Sequence, residues 1–365
     1  MKNRNINKVA VIGSGIMGSG IACHFANIGK EVLLLDIVPS KLSDEEIKKK
    51  LTLEDKQVRN RIVNESLAKA IKSKPSPLYH KNFKSRIKTG NLKDDLEKIS
   101  EVDWIIEVVI ENLEIKNQVF SEIEKHRKPG TIVTSNTSGI PIKFMNNNRS
   151  EDFQQHFAVT HFFNPPRYLK LFEIIPGPNC KDEVIDFLTM YGEKFLGKTS
   201  VLAKDTPGFI GNRIGNFGIQ DLFHNMKELD LSIEDLDTLT GPIIGRPKSA
   251  TFRTADLVGI DTLSKVSNGI HENCPNDECR DVFIVPDFIK DLLEKNWLGD
   301  KTGQGFYKKT RDKKGKREIL VLDFESMEYR KMNKTKFDVV GKAKKIENTI
   351  ERFKVLIDGD SKVSE

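Results

Sequence analysis

The sequence predicts an α/β fold: a doubly wound parallel sheet with a helical arm, followed by an all-α C-terminal domain. Three observations carry this prediction. Short apolar runs alternate with helically spaced segments over the first half of the chain, the signature of strands and crossover helices. A glycine-rich turn, Gly13-Ser14-Gly15-Ile16-Met17-Gly18, joins the first apolar run to the first helical segment. Beyond Ala203 the strand-like runs give way to helical spacing.

Taken in order, Lys8–Ile12 reads as a strand, Ile16–Asn27 as a helix and Glu31–Leu35 as a second strand. Further buried strands are expected at Trp104–Ile110, Thr131–Thr134 and Ala158–Phe162, and helices at Leu113–Lys125 and Asp182–Leu196. Between them, Ser40–Ile71 is charged and helical, an inserted arm that the prolines of KPSPLY bring to an end. The connector KDTPGF, with Pro207 and Gly208, places a domain boundary near Asp205. Ile210–Leu229 and Ser232–Leu239 follow as helices, and Ser232 and Asp235 fit a capping box. Further helices are expected between Thr254 and Glu294. The division is therefore residues 1–205 with an arm at about 40–80, a helical domain at 206–307, and a tail at 308–365. In that tail REILVLD and MEYRKM form a hairpin preceded by a basic KKGK turn, and the stretch from Lys342 is charged and weakly amphipathic.

Composition sets limits on function. With 38% hydrophobic and 31% charged residues, the 365-residue chain suits two soluble globular domains. No apolar stretch is long enough for a membrane span, and the N-terminus lacks the h-region of a secretory signal. The net charge of +6 comes from lysines interspersed with acids along exposed helices, which argues for solvated faces rather than nucleic-acid binding. The scattered Cys23, Cys180, Cys274 and Cys279 point to reduced thiols in a cytoplasm, and the sequence offers no set of metal ligands.

The glycine turn carries the first chemistry. Gly13 permits a tight turn, Gly15 lets backbone approach a pyrophosphate, and Gly18 allows close packing of helix on strand. The helix that opens at Ile16 and Met17 presents free N–H groups and a positive dipole end to phosphates. Asp36 closes the second strand, where a carboxylate accepts from ribose hydroxyls. Ile37, Val38 and Pro39 follow it with no arginine to hold a 2′-phosphate, so the pattern favours NAD over NADP, with FAD the main competitor. Farther on, His161 ends an apolar strand in HFFNPP, and Glu173 lies in YLKLFEII on the expected neighbouring strand. A histidine beside a carboxylate forms a general base with an orienting partner, although a buried histidine more often serves only packing.

These stretches together resemble the 3-hydroxyacyl-CoA dehydrogenases. GSGIMGSGIA, EVVIENLEIK, SNTSGI, HFFNP, KDTPGF and KTGQGFY occur in that family's order from about Lys8 to Tyr307. The resemblance is closest to the dehydrogenase portion of long bacterial fused proteins that also carry an enoyl-CoA hydratase domain. It implies a Rossmann-type domain that binds NAD, an acyl-CoA substrate, and a native chain that continues into such a hydratase. It implies His161 as the base that takes the 3-hydroxyl proton and Glu173 as its partner. Ser138 would lie near the reacting oxygen, and Asn212 would hold the substrate from the second domain. Glu111, Lys116, Asn164 and Lys301 match positions that contact NAD, as Ser138 also does. Ser66 and Lys72 align with the arm residues that hold CoA, although another lysine could hold its 3′-phosphate. Plainer roles exist: Ser138 and Asn164 in strand-end turns, Lys116 facing solvent, Glu111 capping the next helix. A homodimer through the helical domain is expected by the same resemblance. Two other readings compete. A dehydrogenase of small β-hydroxyacids would rely on a catalytic lysine in the second domain, and a retired nucleotide-binding scaffold would have lost His161, Glu173 or Ser138.

Overall fold

The computed structural model describes residues 4–226, 228, 231–312, 314–333 and 336–358. The chain folds into two compact units, Met1–Gly211 and Asn212–Glu365. The first unit runs β1 (Lys8–Ile12), α1 (Ile16–Asn27), β2 (Glu31–Asp36), α2 (Asp44–Lys48), α3 (Lys56–Arg59), α4 (Arg61–Lys72), β3 (Ile87–Asn91), β4 (Trp104–Glu107), α5 (Leu113–His126) and β5 (Ile132–Ser135). It continues with α6 (Ile142–Asn146), α7 (Glu151–Gln155), β6 (Phe157–Phe162), β7 (Leu171–Pro176), α8 (Asp182–Lys194) and β8 (Thr199–Leu202). The eight strands lie in the order β3-β2-β1-β4-β5-β6-β7-β8. All neighbours are parallel except β6 and β7, which pair antiparallel. Two apolar layers bury the sheet, one with Phe25, Trp104 and Tyr191, the other with Phe120, Phe153 and Phe157.

The strand order reverses between β1 and β4, and the ends of these strands are level: Ile12 pairs with Glu107, and Glu107 with Ser135. Ligands of open α/β sheets bind at such a switch point, outside the carboxyl ends of the strands. The arm is three short helices rather than one run. Ser43 and Glu46 form a capping box at the start of α2, and α4 ends at Lys72 just before the prolines. The expected strand Trp104–Ile110 stops at Glu107, because the Glu107 carboxylate takes the Val109 N–H and turns the chain. Two strands, β3 and β8, fall outside the sequence expectation; both are short edge strands with polar residues.

The second unit is mainly helical: α9 (Gly211–Asn225), α10 (Ile233–Leu239), α11 (Phe252–Val258), α12 (Ile260–Asn273) and α13 (Asp287–Glu294). The Ser232–Asp235 capping box is present. The helix expected to reach Leu229 ends at Asn225, and Leu229 itself lies outside the described residues. The unit is not all helix. β9 (Tyr307–Arg311), β10 (Arg317–Asp323) and β11 (Glu328–Lys331) make an antiparallel sheet in the order β11-β10-β9, so the expected hairpin gains a strand. Lys313 of the KKGK turn lies outside the described residues. Val321 and Leu322 bury into the helical core with Phe252 and Phe306, so the segment from Lys308 packs with the helices. Buried Glu234 on α10 accepts from Arg330 of β11 at 2.6 Å and reinforces the join. The stretch from Lys342 holds the end of α14 (Asp338–Ala343) and then α15 (Thr349–Ile357); residues 359–365 lie outside the described residues.

Candidate active site

The glycine turn shows why each glycine stands where it does. Gly13 has φ of 101°, and a Cβ there would sit 2.5 Å from the Val108 carbonyl oxygen on the turn after β4. A Cβ on Gly18 would come within 1.8 Å of the Gly13 carbonyl oxygen, so no side chain fits under the turn. A Cβ on Gly15 would meet nothing within 4 Å. Gly13 and Gly18 therefore serve the protein's own packing, whereas Gly15 borders open space at a helix N-terminus. Those features fit a pyrophosphate. Ile16 is 78% exposed there, and Met17 packs against the core. The Asp36 carboxylate at the end of β2 accepts from the Ser14 N–H at 2.6 Å, from the Ser14 hydroxyl, and from the Ile37 N–H at 2.7 Å. Its first task is to hold the turn against β2, which brings the acid and the glycine loop together.

A buried polar chain joins the ends of β4 and β5. Glu107, fully buried, accepts from Lys116 Nζ at 2.8 Å, from the Val109 N–H at 2.7 Å and from Ser135 Oγ at 2.5 Å. Lys116 is also buried, and its ammonium lies 3.4 Å from Glu111. Glu111 in turn accepts from Thr137 Oγ1 at 2.5 Å and from the N–H groups of Ser138 and Gly139 at 3.1 and 3.2 Å. Glu111 thus clamps the Asn-Thr-Ser turn, while Asn112 caps α5 through the Ile115 N–H. Lys116 does not face solvent. Asn136 adds a tie to β6 by accepting the Phe162 N–H at 2.9 Å. Glu107 and Asn136 were not singled out from the sequence. The available signal was a lone acid in the apolar run WIIEVV, with a lysine nine residues later.

His161 and Glu173 stand directly opposite each other in the antiparallel β6–β7 register. His161 Nδ1 is 2.7 Å from Glu173 Oε2, and both residues are buried. A carboxylate at Nδ1 keeps the proton on that nitrogen and leaves Nε2 its lone pair, the tautomer a general base needs. The other oxygen of Glu173 accepts from the Ile210 and Gly211 N–H groups at 2.9 and 2.7 Å. Burial opposes the charge, but the His161 hydrogen bond and these two N–H donors hold the Glu173 carboxyl below its ordinary value. Phe163 and Phe209 flank the imidazole, with ring centroids 4.4 and 5.7 Å away.

A cavity of about 500 Å³ adjoins the glycine turn. Ser14, Gly15 and Ile16 form one wall, Ser66 and Lys69 of α4 another, and Asn164 to Arg167 a third. Ser66 thus lines the cavity beside the glycine turn. The lysines that line the wall are Lys69 and Lys74, and Lys72 is not among them; the side of α4 and its end that lines the cavity runs through Ser66, Lys69, Ala70 and Ser73. Asn212 and Lys301 belong to the second unit. Asn212 lies in the first turn of α9, next in the chain to Gly211, and Lys301 forms an ion pair with Asp261. In the KTGQGFY segment, Gly299 (just before it) and Gly305 pack on Asp256, whose oxygens accept the Phe306 and Tyr307 N–H groups at 2.8 and 2.9 Å.

The sheet order, glycine turn and Asp36 define a dinucleotide-binding domain of the kind found in NAD-dependent oxidoreductases. Residues 8–206 match the family described as 3-hydroxyacyl-CoA dehydrogenase, NAD binding domain, and residues 208–309 match the 3-hydroxyacyl-CoA dehydrogenase C-terminal domain. The chain belongs to the 3-hydroxyacyl-CoA dehydrogenase family. It is 49% identical over 360 residues to a probable 3-hydroxyacyl-CoA dehydrogenase of Bacillus subtilis, covering 99% of this chain and 45% of that one. A probable 3-hydroxyacyl-CoA dehydrogenase of Deinococcus radiodurans is 43% identical over 311 residues, 85% of each chain. A Rickettsia prowazekii protein named as a putative fatty acid oxidation complex trifunctional enzyme is 35% identical over 330 residues, 44% of its length. The chain therefore spans about half the length of some of its relatives. Among solved structures, (S)-3-hydroxybutyryl-CoA dehydrogenase from Ralstonia eutropha is similar with a TM-score of 0.65 and 26% identity, over 82% of this chain and 98% of that one.

Proposed function

We propose that this protein oxidises the 3-hydroxyl of an L-3-hydroxyacyl-CoA to a ketone with NAD, a step of fatty-acid oxidation. The observation that carries the reading is the His161–Glu173 pair, buried and 2.7 Å apart in the domain that holds the glycine turn. His161 Nε2 takes the hydroxyl proton as the C3–H bond breaks, and Glu173 stabilises the imidazolium that forms. NAD, when bound, would supply the acceptor for the hydride that leaves C3. Gly15 and the start of α1 would receive its pyrophosphate, and Asp36 its adenosine ribose. Glu111 and Lys116 would contact the cofactor through their network at the strand ends, and Asn164, which lines the cavity beside the glycine turn, would contact it from there. Ser138 is held by that network through its backbone N–H, which supports a hydroxyl fixed near the reacting oxygen. Asn212 and Lys301 keep the roles that the family resemblance implies, toward substrate and cofactor respectively.

Ser66, Lys69, Lys74 and Arg167 line a cavity suited to the phosphates of CoA, and this supports the thioester over a small hydroxyacid. No described helix is long and apolar enough to cross a membrane. The four free cysteines support a reducing cytoplasm as the place of reaction. Self-association through the helical unit is part of the proposal, and the exposed Ile214 and Phe217 on α9 support it. The experiment is NADH absorbance on adding 3-hydroxyacyl-CoA esters from four to sixteen carbons. No NADH from any ester would refute the activity. NADH from free hydroxyacids but not from thioesters would favour the small-acid reading. Light scattering across a concentration series tests association, and a strict monomer throughout would exclude the dimer.

A further inference from the structure

The loop from Phe163 to Lys170, between β6 and β7, carries Asn164, Pro165, Pro166 and Arg167 into the cavity wall. Its two prolines have no N–H to donate, so the loop is short of internal hydrogen bonds. Pro165 O is satisfied by the N–H groups of Tyr168 and Leu169, at 2.9 and 3.1 Å. The carbonyls of Pro166 and Leu169 point the other way, into the protein, where an unpaired acceptor is costly. Both are met by one group. Lys198, buried just before β8, donates from Nζ to Pro166 O and, at 2.6 Å, to Leu169 O. No carboxylate pairs with this ammonium among the described residues.

The other side of the loop is tied to the arm. Arg167 donates to Ser76 O at 2.7 Å and Leu78 O at 3.0 Å, and Tyr168 Oη donates to Ser76 O at 2.9 Å. Pro166 also lies close to α1, where a Cβ on Gly20 would come within 3.0 Å of its ring. The loop is thus fixed from three sides, and Lys198 supplies the only cationic support from beneath among the described residues. A lysine buried without a carboxylate is disfavoured on stability grounds, and burial pulls its ammonium down to about 8. Its task in that place is the one a charged donor performs, meeting two carbonyls at once.

We infer that Lys198 is a positioning residue for ligand binding: it holds the 163–170 loop in the shape that lets Asn164 and Arg167 line the cavity. The inference rests on the proposed function for the identity of the ligands. It separates binding from chemistry, because the His161–Glu173 pair is set by the β6–β7 register and hydrogen bond, and Phe163 at the loop's start is the part of the loop that packs on the imidazole. When the loop is released, only the fraction of molecules with the wall in place binds, and affinity falls by that fraction.

The test is Lys198→Met in the full chain. Dissociation constants for NADH and for coenzyme A are measured by fluorescence and calorimetry, alongside kcat, KM and the thermal midpoint. The expected result is a weakening of about tenfold to a hundredfold in binding of one or both probes, matched in KM. At saturation kcat stays within about threefold of the parent, since the base and its partner are undisturbed. Lys198→Gln, which keeps a neutral donor, takes the place of the methionine variant if that one does not fold. Unchanged affinities with a lowered thermal midpoint would overturn the inference, as would a fall in kcat with KM unaltered. A parent protein that binds neither probe would overturn the proposed function and this inference together. A parent that binds both, beside a variant that binds them equally well, would overturn the inference alone.

Discussion

Replacing Glu173 with Gln tests the chemistry with almost no change in shape. In the native site one carboxylate oxygen receives His161 Nδ1–H and the other receives the N–H groups of Ile210 and Gly211. An amide has one acceptor oxygen, so it cannot satisfy both sides. If the oxygen stays on the two N–H donors, the amide N–H₂ faces Nδ1 and forces the proton onto Nε2. The base then has its lone pair on the wrong nitrogen. If the amide flips, the tautomer survives but two buried N–H donors confront an N–H₂ group, which opposes that orientation by about 1–3 kcal/mol per unpaired group. The first arrangement should prevail. A hydrogen bond to a charged group contributes about 1.5–3 kcal/mol, equivalent to a tenfold to 150-fold loss of imidazolium stabilisation. The tautomer cost comes on top. The expected fall in kcat is therefore about a hundredfold to ten-thousandfold, within the span of general-base catalysis. Stopped-flow NADH formation at saturating substrate gives kcat, and NADH fluorescence titration gives cofactor affinity. Retention of more than a third of kcat by the variant would refute the reasoning; a loss of cofactor affinity equal to the loss of kcat would make Glu173 structural.

Three further outcomes follow from the same geometry. Asp36→Ala removes the acceptor for the Ser14 N–H and the charge that repels a 2′-phosphate; NAD should bind more weakly and the preference over NADP should narrow, which comparative kcat/KM for the two cofactors would show. Glu107→Gln leaves the Lys116 ammonium buried without its fully buried partner, and such a break costs about 3–5 kcal/mol, readable in urea unfolding; a loss below about 1 kcal/mol would show that Glu111 alone suffices for Lys116. In the second unit, burial raises the Asp256 carboxyl from 3.8 to about 6, and the backbone donors only partly offset it. The folded chain therefore keeps a proton that the unfolded chain has already released. Stability should fall as pH rises from about 4 to about 6, by roughly 3 kcal/mol at 1.4 per unit, and stay lower above that. Asp256→Asn should remove this slope, so thermal scans of parent and variant at pH 4, 5, 6 and 7 that ran parallel would refute the assignment.

Much of the first unit was legible because its signals are local. Gly13 and Gly18 announce a turn in which side chains clash, and the apolar runs of β1, β2 and β6 are buried on both faces, so they stand out as continuous. The edge strands β3 (IKTGN) and β8 (TSVL) were not legible, because an edge strand needs neither an apolar run nor strict alternation. β9 was hidden for a related reason. YKKTR has one buried residue, Tyr307, and takes its strand geometry from pairing with β10 rather than from its own pattern. The helical tail was undervalued because α15 buries only Leu356, leaving a charged and apparently weak periodicity.

The site divides along the same physical line. His161 and Glu173 could be paired from the sequence because one short connection separates two adjacent strands, and opposite positions in an antiparallel pair bring their side chains together. Asp36 could be placed because it ends the strand next to the glycine turn. Glu107 and Lys198 are different. Glu107 is a charge in an apolar run and Lys198 a lysine among small and polar residues, and each is explained only by partners supplied from elsewhere: Lys116 and Ser135 for the first, the Pro166 and Leu169 carbonyls for the second. A buried charge without a partner would be too costly to keep, so its presence in a core strand or beneath a loop implies a partner. The sequence alone does not say which one. The carbonyls that Lys198 serves lie 29 and 32 residues back along the chain, and no spacing rule connects a lysine to backbone oxygens at that distance. Only the pairing of β7 with β8 brings the ammonium under the loop, and the need for it arises from two prolines that are themselves plain to read.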